Sequence, residues 1–169
     1  AVYVATDSDE VKDVVESWGG TVFMTSADCP SGTARIASMA HELDVDLIAN
    51  VQADEPLIQP DLVDDIIEAF DYVDSPVVSA VYRLPTMSSI LSPHIVKVVR
   101  SHTGFALYMS RSPVPFVRDA EQTDWVNKTD FWGQVNVYVF RKQVLLDFEK
   151  MPPSELEEIE KVEQLRFLE

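Results

Sequence analysis

Short apolar runs alternate with amphipathic stretches through the first half of the chain. Ala1 to Ala5 reads as a strand, Thr6-Asp7-Ser8 offers turn and N-cap chemistry, and a helix is predicted from about Asp9 to Trp18 with Val11, Val14 and Val15 on one face. Gly19-Gly20 stops that helix, and Thr21 to Thr25, β-branched and apolar, is the next strand. The order β-α-β is the signature of a parallel sheet. A loop from Ser26 to Thr33, punctuated by Pro30 and Gly32, leads into helical spacing over Ala34 to Leu43, then a strand at Leu47 to Val51. Pro60-Asp61 begins a helix to about Tyr72, striped by Leu62, Val63, Ile66, Ile67 and Phe70, and Val77 to Tyr82 is another strand.

After Pro85 the alternation breaks. Ile95 to Val99 and Phe105 to Met109 flank Arg100-Ser101-His102-Thr103-Gly104 like the arms of a hairpin. Arg111 to Asp130, rich in proline and polar residues, reads as a long loop of the functional or mobile kind. Val135 to Phe140 is then a strand, Gln143 to Phe148 a short helix, and Leu156 to Leu168 a helix with Leu156, Ile159, Val162 and Leu165 along one side. The expected fold is α/β, with a mostly parallel sheet and an inserted hairpin region over about 85–135. A chain of 169 residues fits a single domain able to bury its own core.

Charge narrows the functions open to such a domain. With 29 acidic against 13 basic residues the formal net charge is -16, which excludes general nucleic-acid binding and an anionic membrane surface, both of which need positive charge. One cysteine, Cys29, allows no internal disulfide, and no secretory leader or long apolar span is evident, so the expectation is a soluble cytoplasmic protein. An anionic ligand would have to meet a few concentrated arginines or a recruited cation, and Mg²⁺ is the natural one. Asp54, in Asn50-Val51-Gln52-Ala53-Asp54-Glu55-Pro56 at the carboxyl end of a predicted buried strand, is placed to hold it. The same residues equally make an ordinary turn between strand and helix.

Taken in order, several pieces of the chain resemble the cytidylyltransferases that activate 3-deoxy-manno-octulosonate (Kdo), the CMP-Kdo synthetases. They are Val4-Ala5-Thr6-Asp7, Gly19-Gly20, Met24-Thr25 with Ser31-Gly32-Thr33, Asn50-Val51-Gln52 with Asp54-Glu55-Pro56, Val96-Lys97-Val98-Val99, Ala106-Leu107-Tyr108 with Ser110-Arg111, and Glu163-Gln164-Leu165-Arg166. The resemblance implies a Rossmann-like nucleotidyltransferase, dimeric in the family, that transfers CMP from CTP to a sugar acid for lipopolysaccharide or capsule synthesis and releases pyrophosphate. Asp54 is similar to a magnesium ligand and, with Arg111, is implied to be catalytic. Ser31, Gly32, Thr33, Arg35 and Gln52 are implied to bind the nucleotide, and Arg35, Gln52, Arg111, Gln134, Tyr138, Glu163 and Gln164 the sugar. An arginine suits a sugar carboxylate because its planar fork donates two parallel hydrogen bonds. Apart from the resemblance, Arg35 reads as a partner for a surface carboxylate, and Glu157, Glu158, Glu160 and Glu163 read as an ordinary acidic helix surface.

The chain also departs from the family pattern. Cys29 and Gln134 stand where histidines are common, Ala34 where an acidic residue is, and Ala53 where a glycine is, so an altered sugar acid or reduced activity is one expectation. The family's leading strand with its triphosphate-binding loop, and its second metal-binding aspartate, find no counterpart in these residues, from which the isolated chain is expected to be inactive. A synthetase for another acid of the sialic type, and a noncatalytic sugar-nucleotide-binding module, are the alternatives. The valine-rich hairpin Ile95 to Met109 is the expected homodimer surface.

Overall fold

A strand, a helix and a second strand open the chain, as the hydrophobic pattern predicts. The computed structural model describes all of residues 1–169. β1 (Tyr3–Thr6) and β2 (Thr21–Met24) pair in parallel, from Tyr3 opposite Thr21 to Thr6 opposite Met24. Between them runs α1 (Asp9–Ser17), capped by Ser8, whose hydroxyl accepts from the Val11 amide at 3.3 Å, with Asp9 and Glu10 in the first turn where the helix dipole favours negative charge. Val15 alone is buried; Val11 and Val14 are largely exposed, so the helix buries a narrower face than its spacing implies. Gly19 takes a left-handed φ of 79°. At Gly20 a methyl group would lie 2.6 Å from Val15 Cγ1, and the close approach of chain and helix there requires glycine.

The chain forms two compact units, the first made of Ala1–Val78 and Asn136–Met151, the second of Ser79–Val135 and Pro152–Glu169. In the first, β3 (Leu47–Val51) runs antiparallel to the second half of β7 (Trp132–Arg141), with Leu47 opposite Arg141 and Val51 opposite Val137. Val137 to Phe140 are all buried, so this part of β7 carries apolar residues on both faces. α2 (Gly32–Ala40) packs on α5 (Lys142–Phe148) through a core that includes Ala37, Ala40, Leu145 and Phe148. α3 (Pro60–Glu68) continues as a 3₁₀ turn over Ala69–Asp71.

In the second unit β5 (Lys97–Arg100) and β6 (Ala106–Ser110) form the predicted antiparallel hairpin, with a register shift between Val99 and Arg100. β5 also meets β7, Lys97 opposite Gly133, and β4 (Val77–Arg83) pairs with β7 as well. α4 (Met87–Leu91), which the pattern does not predict, is capped by Thr86. The expected open loop after Arg111 contains a 3₁₀ turn at Gln122–Asn127 and packs its own core of Leu84, Ile90, Trp125 and Phe131, with Trp125 stacked on Phe131 at 6.0 Å.

Two expectations are corrected. The fold is mixed α/β, but its larger sheet, in the order β3-β7-β5-β6 with β4 against β7, is mainly antiparallel, and parallel pairing is confined to β1 and β2. Periodicity identifies a strand without fixing its neighbour, and the long connection from β3 to β7 leaves either direction open. The last helix is also broken. α6 (Glu155–Glu160) ends at Lys161, which adopts φ 53°, and a 3₁₀ turn follows at Glu163–Phe167. The break buries Val162 and Leu165 while leaving Ile159 in solvent.

The Val15 contact makes Gly20→Ala a test of this packing: we expect unfolding stability to fall by about 1–3 kcal/mol, as over-packing does, measured by urea denaturation. An unchanged midpoint would contradict the close approach.

Candidate functional site

The carboxyl end of β3 turns at once. The Glu55 amide donates to the Gln52 carbonyl at 3.0 Å, which puts Ala53 and Asp54 at the centre of a β-turn. Ala53 has an ordinary negative φ, since Lys161 is the one non-glycine residue with a positive value, so the turn does not require the glycine expected there. The Asp54 carboxylate is exposed on this turn. The Gln52 amide reaches back to the start of α2: a methyl added at Gly32 would lie 3.3 Å from its Nε2 and 3.4 Å from its Oε1. Ser31 caps α2 by accepting from the Ala34 amide at 3.1 Å, and Thr33, one residue past Gly32, is wholly buried. The structure therefore brings Ser31, Gly32, Thr33 and Gln52 together. Thr33 Oγ1 and Asn50 Nδ2 are buried without a hydrogen-bond partner, and buried polar atoms of that kind need an explanation. Tyr138 lies opposite Asn50 in the β3–β7 register.

Arg35, on the same helix, crosses the carboxyl ends of the parallel pair. Its guanidinium donates to Asp7 Oδ1 (3.1 Å) after β1, and to Thr25 Oγ1 (2.5 Å) and the Ser26 carbonyl (3.4 Å) after β2. The pairing with a carboxylate that composition suggests for Arg35 is thus made, with Asp7. Open α/β sheets bind ligands outside such strand ends. Asp7 and Thr25 lie in the resembling motifs but carry no expected role.

In the second unit Arg111 is held on every side. Its Nε donates to the Glu160 carbonyl (2.7 Å), Nη2 to the Lys161 carbonyl (3.0 Å) and Nη1 to the Pro93 carbonyl (2.9 Å). A guanidinium has five N–H bonds, so two remain beyond these three contacts. Lys161's left-handed backbone ends α6, and Arg111 caps that helix by taking its final carbonyls, where positive charge is favoured. The Glu160 carboxylate accepts from Ser110 Oγ (2.6 Å), the Arg111 amide (2.9 Å) and Tyr108 OH (3.4 Å). Burial opposes its charge, but these hydrogen bonds from Ser110, Arg111 and Tyr108 hold its carboxyl below the ordinary glutamate range. Lys97, fully buried, donates to the carbonyls of Ser92 (2.8 Å), Ile95 (2.7 Å) and Arg111 (2.5 Å). Burial, then the nearby Arg111 charge, lowers its pKa, with Glu160 opposing.

Gln134 donates through Nε2 to Gln164 Oε1 at 3.3 Å, leaving Gln134 Oε1 buried and unpartnered, as is Glu163 Oε2. Glu163 and Gln164 thus sit on a 3₁₀ turn, and Gln164 is buried. The acidic surface expected over 157–163 is largely engaged: Glu157 completes a capping box with Ser154 and takes a bidentate pair from Arg166, at 2.7 and 2.5 Å. Only contacts of this kind, invisible to composition, separate these glutamates from Glu158.

A family model described as Cytidylyltransferase matches residues 1–169. The chain belongs to the cytidylyltransferase family. It is 42% identical over 176 residues to a 3-deoxy-manno-octulosonate cytidylyltransferase of Geobacter sulfurreducens, covering 99% of this chain and 70% of the relative. A protein of the same name from Chlorobium limicola is 41% identical over 172 residues, at 99% and 67% coverage. A solved CMP:2-keto-3-deoxy-manno-octonic acid synthetase complexed with CTP superposes with a TM-score of 0.90 at 34% identity, covering 99% of this chain and 67% of that one. By homology this cytidylyltransferase is an enzyme of the CMP-Kdo synthetase kind.

The Glu157–Arg166 pair gives a pH prediction. Burial raises the Glu157 pKa, but the bonds from Arg166 and Ser154 prevail and lower it overall. A carboxyl depressed on folding stabilises above its unfolded pKa, and that stability is lost as pH falls through the folded value. Below the ordinary glutamate range, thermal stability should therefore decline. Glu157→Gln should cost about 1–3 kcal/mol at neutral pH and flatten that acid decline in calorimetry.

Proposed function

We propose that this cytidylyltransferase carries the centre for transferring CMP from CTP to a 2-keto-3-deoxy sugar acid, most simply Kdo. The observation that carries this reading is the meeting of the Gln52 amide with the capped start of α2 at Gly32, next to the exposed Asp54 carboxylate. In the reaction the anomeric oxygen attacks the α-phosphorus in line, the bond from that phosphorus to the β-phosphate oxygen breaks, and pyrophosphate leaves.

Asp54 fits a magnesium ligand, because Mg²⁺ takes one or two carboxylates and fills its other positions with water and phosphate oxygens. When bound, the ion would neutralise phosphate charge. The start of α2, from Ser31 to Thr33, and Arg35 receive the nucleotide. The two free N–H bonds of Arg111 suit the sugar carboxylate. Gln134 Oε1 and Glu163 Oε2, buried acceptors without partners, suit sugar hydroxyls, and Gln164 orients Gln134. Tyr138 and Gln52 are the sugar-binding residues of the first unit.

Two copies pair through the hairpin, where Phe105 and Leu107 stand exposed. No helix is long and apolar enough to cross a membrane. In this reading the enzyme works in the cytoplasm on a lipopolysaccharide or capsule precursor.

Pyrophosphate release by the full natural polypeptide, with CTP, Mg²⁺ and a panel of sugar acids including Kdo and a sialic acid, tests the reading. Kdo should be preferred, and Asp54→Asn should lower kcat by about a hundredfold or more, the scale of a lost metal contact. Preference for sialic acid would replace the substrate, and silence with every acid would leave a binding module.

A further inference from the structure

Arg111 is unusual in how little of it is free. Its amide, its carbonyl and three of its guanidinium N–H bonds are all committed, and Glu160 or the turn that Glu160 begins takes part in most of these contacts. The Glu160 carboxylate reaches Arg111 N and the neighbouring Ser110 Oγ, while its carbonyl, exposed by the left-handed turn at Lys161, takes Arg111 Nε. Ser110 Oγ in turn accepts from the Ser112 amide at 3.0 Å, which fixes the main chain on the other side of Arg111. The electrostatics favour the same arrangement. Lys97 and Arg111 are two cations joined through the Arg111 carbonyl, and Glu160 is the anion against them.

We propose that Glu160 is a positioning residue: by holding Arg111 at both its main chain and its guanidinium, it aims the two remaining N–H bonds at the carboxylate of the acid substrate. This rests on the sugar-acid reading above. Glu160 itself touches no reacting atom. An amide in its place would match the carboxylate in size but offer one acceptor instead of two, and would leave Lys97 and Arg111 without a counter-charge. The Arg111 main chain would then lose its side-chain anchor and shift the guanidinium, which stays bonded to the Glu160, Lys161 and Pro93 carbonyls, off its aim, while the start of α2 and the Gln52–Asp54 turn make none of these contacts.

The experiment uses Glu160→Gln in the full natural polypeptide. We expect KM for the sugar acid to rise about tenfold, the scale of one charge-assisted hydrogen bond, with KM for CTP within twofold of wild type. The second readout is the ¹⁵N–¹H signal of Arg Nε. The Arg111 signal, identified by its loss in Arg111→Lys, should broaden, while the Arg166 signal, anchored on Glu157, stays sharp. Ser110→Ala keeps the charge but removes one anchor, and should shift the same constant in the same direction by less. It also keeps the test open if Glu160→Gln does not fold. Tyr108→Phe, which removes only the 3.4 Å contact, should match wild type. Equal rises in both KM values, a loss confined to kcat, or broadening of Arg111 and Arg166 together would overturn the positioning role. A wild-type enzyme that turns over no sugar acid would instead overturn the reading on which it rests.

Discussion

A lysine ammonium buried as completely as that of Lys97 is stable only when each of its hydrogens meets an acceptor and its charge meets a counter-charge. The second unit is arranged around that requirement. Three main-chain carbonyls converge on Nζ, one of them belonging to Arg111. Satisfying the ammonium therefore fixes the chain where β6 ends. The charge is balanced by Glu160, which reaches in from the last turn of α6 and takes the Arg111 amide on the other side. Breaking such a set by removing one charge leaves the others desolvated, which costs more than the assembled set contributes. The hairpin, the start of the long loop and the end of α6 are thereby tied to one another within this unit.

The first unit meets its constraint by another route. It has the β-α-β opening and the capped α2, but Thr33 Oγ1 and Asn50 Nδ2 remain without partners beside the Gly32–Gln52 contact. Both atoms are buried polar groups of the kind that folds rarely leave unpaired. Arg35, spanning the ends of β1 and β2, supplies positive charge there and is held in place by Asp7 and Thr25.

Much of the first unit was legible from residues alone. Ser8 announced its helix because a hydroxyl before an amphipathic run has a local partner, the amide three residues on, whereas the Ser31 cap, inside a stretch read as loop, was found only in the structure. The Gly19-Gly20 stop and the hairpin around Gly104 are equally local. Arg111 to Asp130 was not legible as a packed segment, because Trp125 earns its burial only against Leu84, Ile90 and Phe131. Of the candidate site, Gln52 and Ser31 to Thr33 were identified and are adjacent, whereas Asp7, Thr25, Lys97 and Glu160 carry contacts that their spacing does not reveal.

The sequence by itself determined the strands and most of the helices, the acidic balance, and the motifs that place the chain among the cytidylyltransferases. Those are properties of composition and of contacts a few residues apart, where periodicity and capping act. Only the tertiary structure decided that the larger sheet is mainly antiparallel, that the last helix breaks at Lys161, and that a glutamate within an acidic run is the counter-charge of the buried Lys97 and the half-buried Arg111. Glu160 and Arg111 are 49 residues apart, and no local preference encodes a meeting at that distance. It follows from where the hairpin and the end of α6 are brought by the burial of Val162 and Leu165, and by the need to satisfy Lys97.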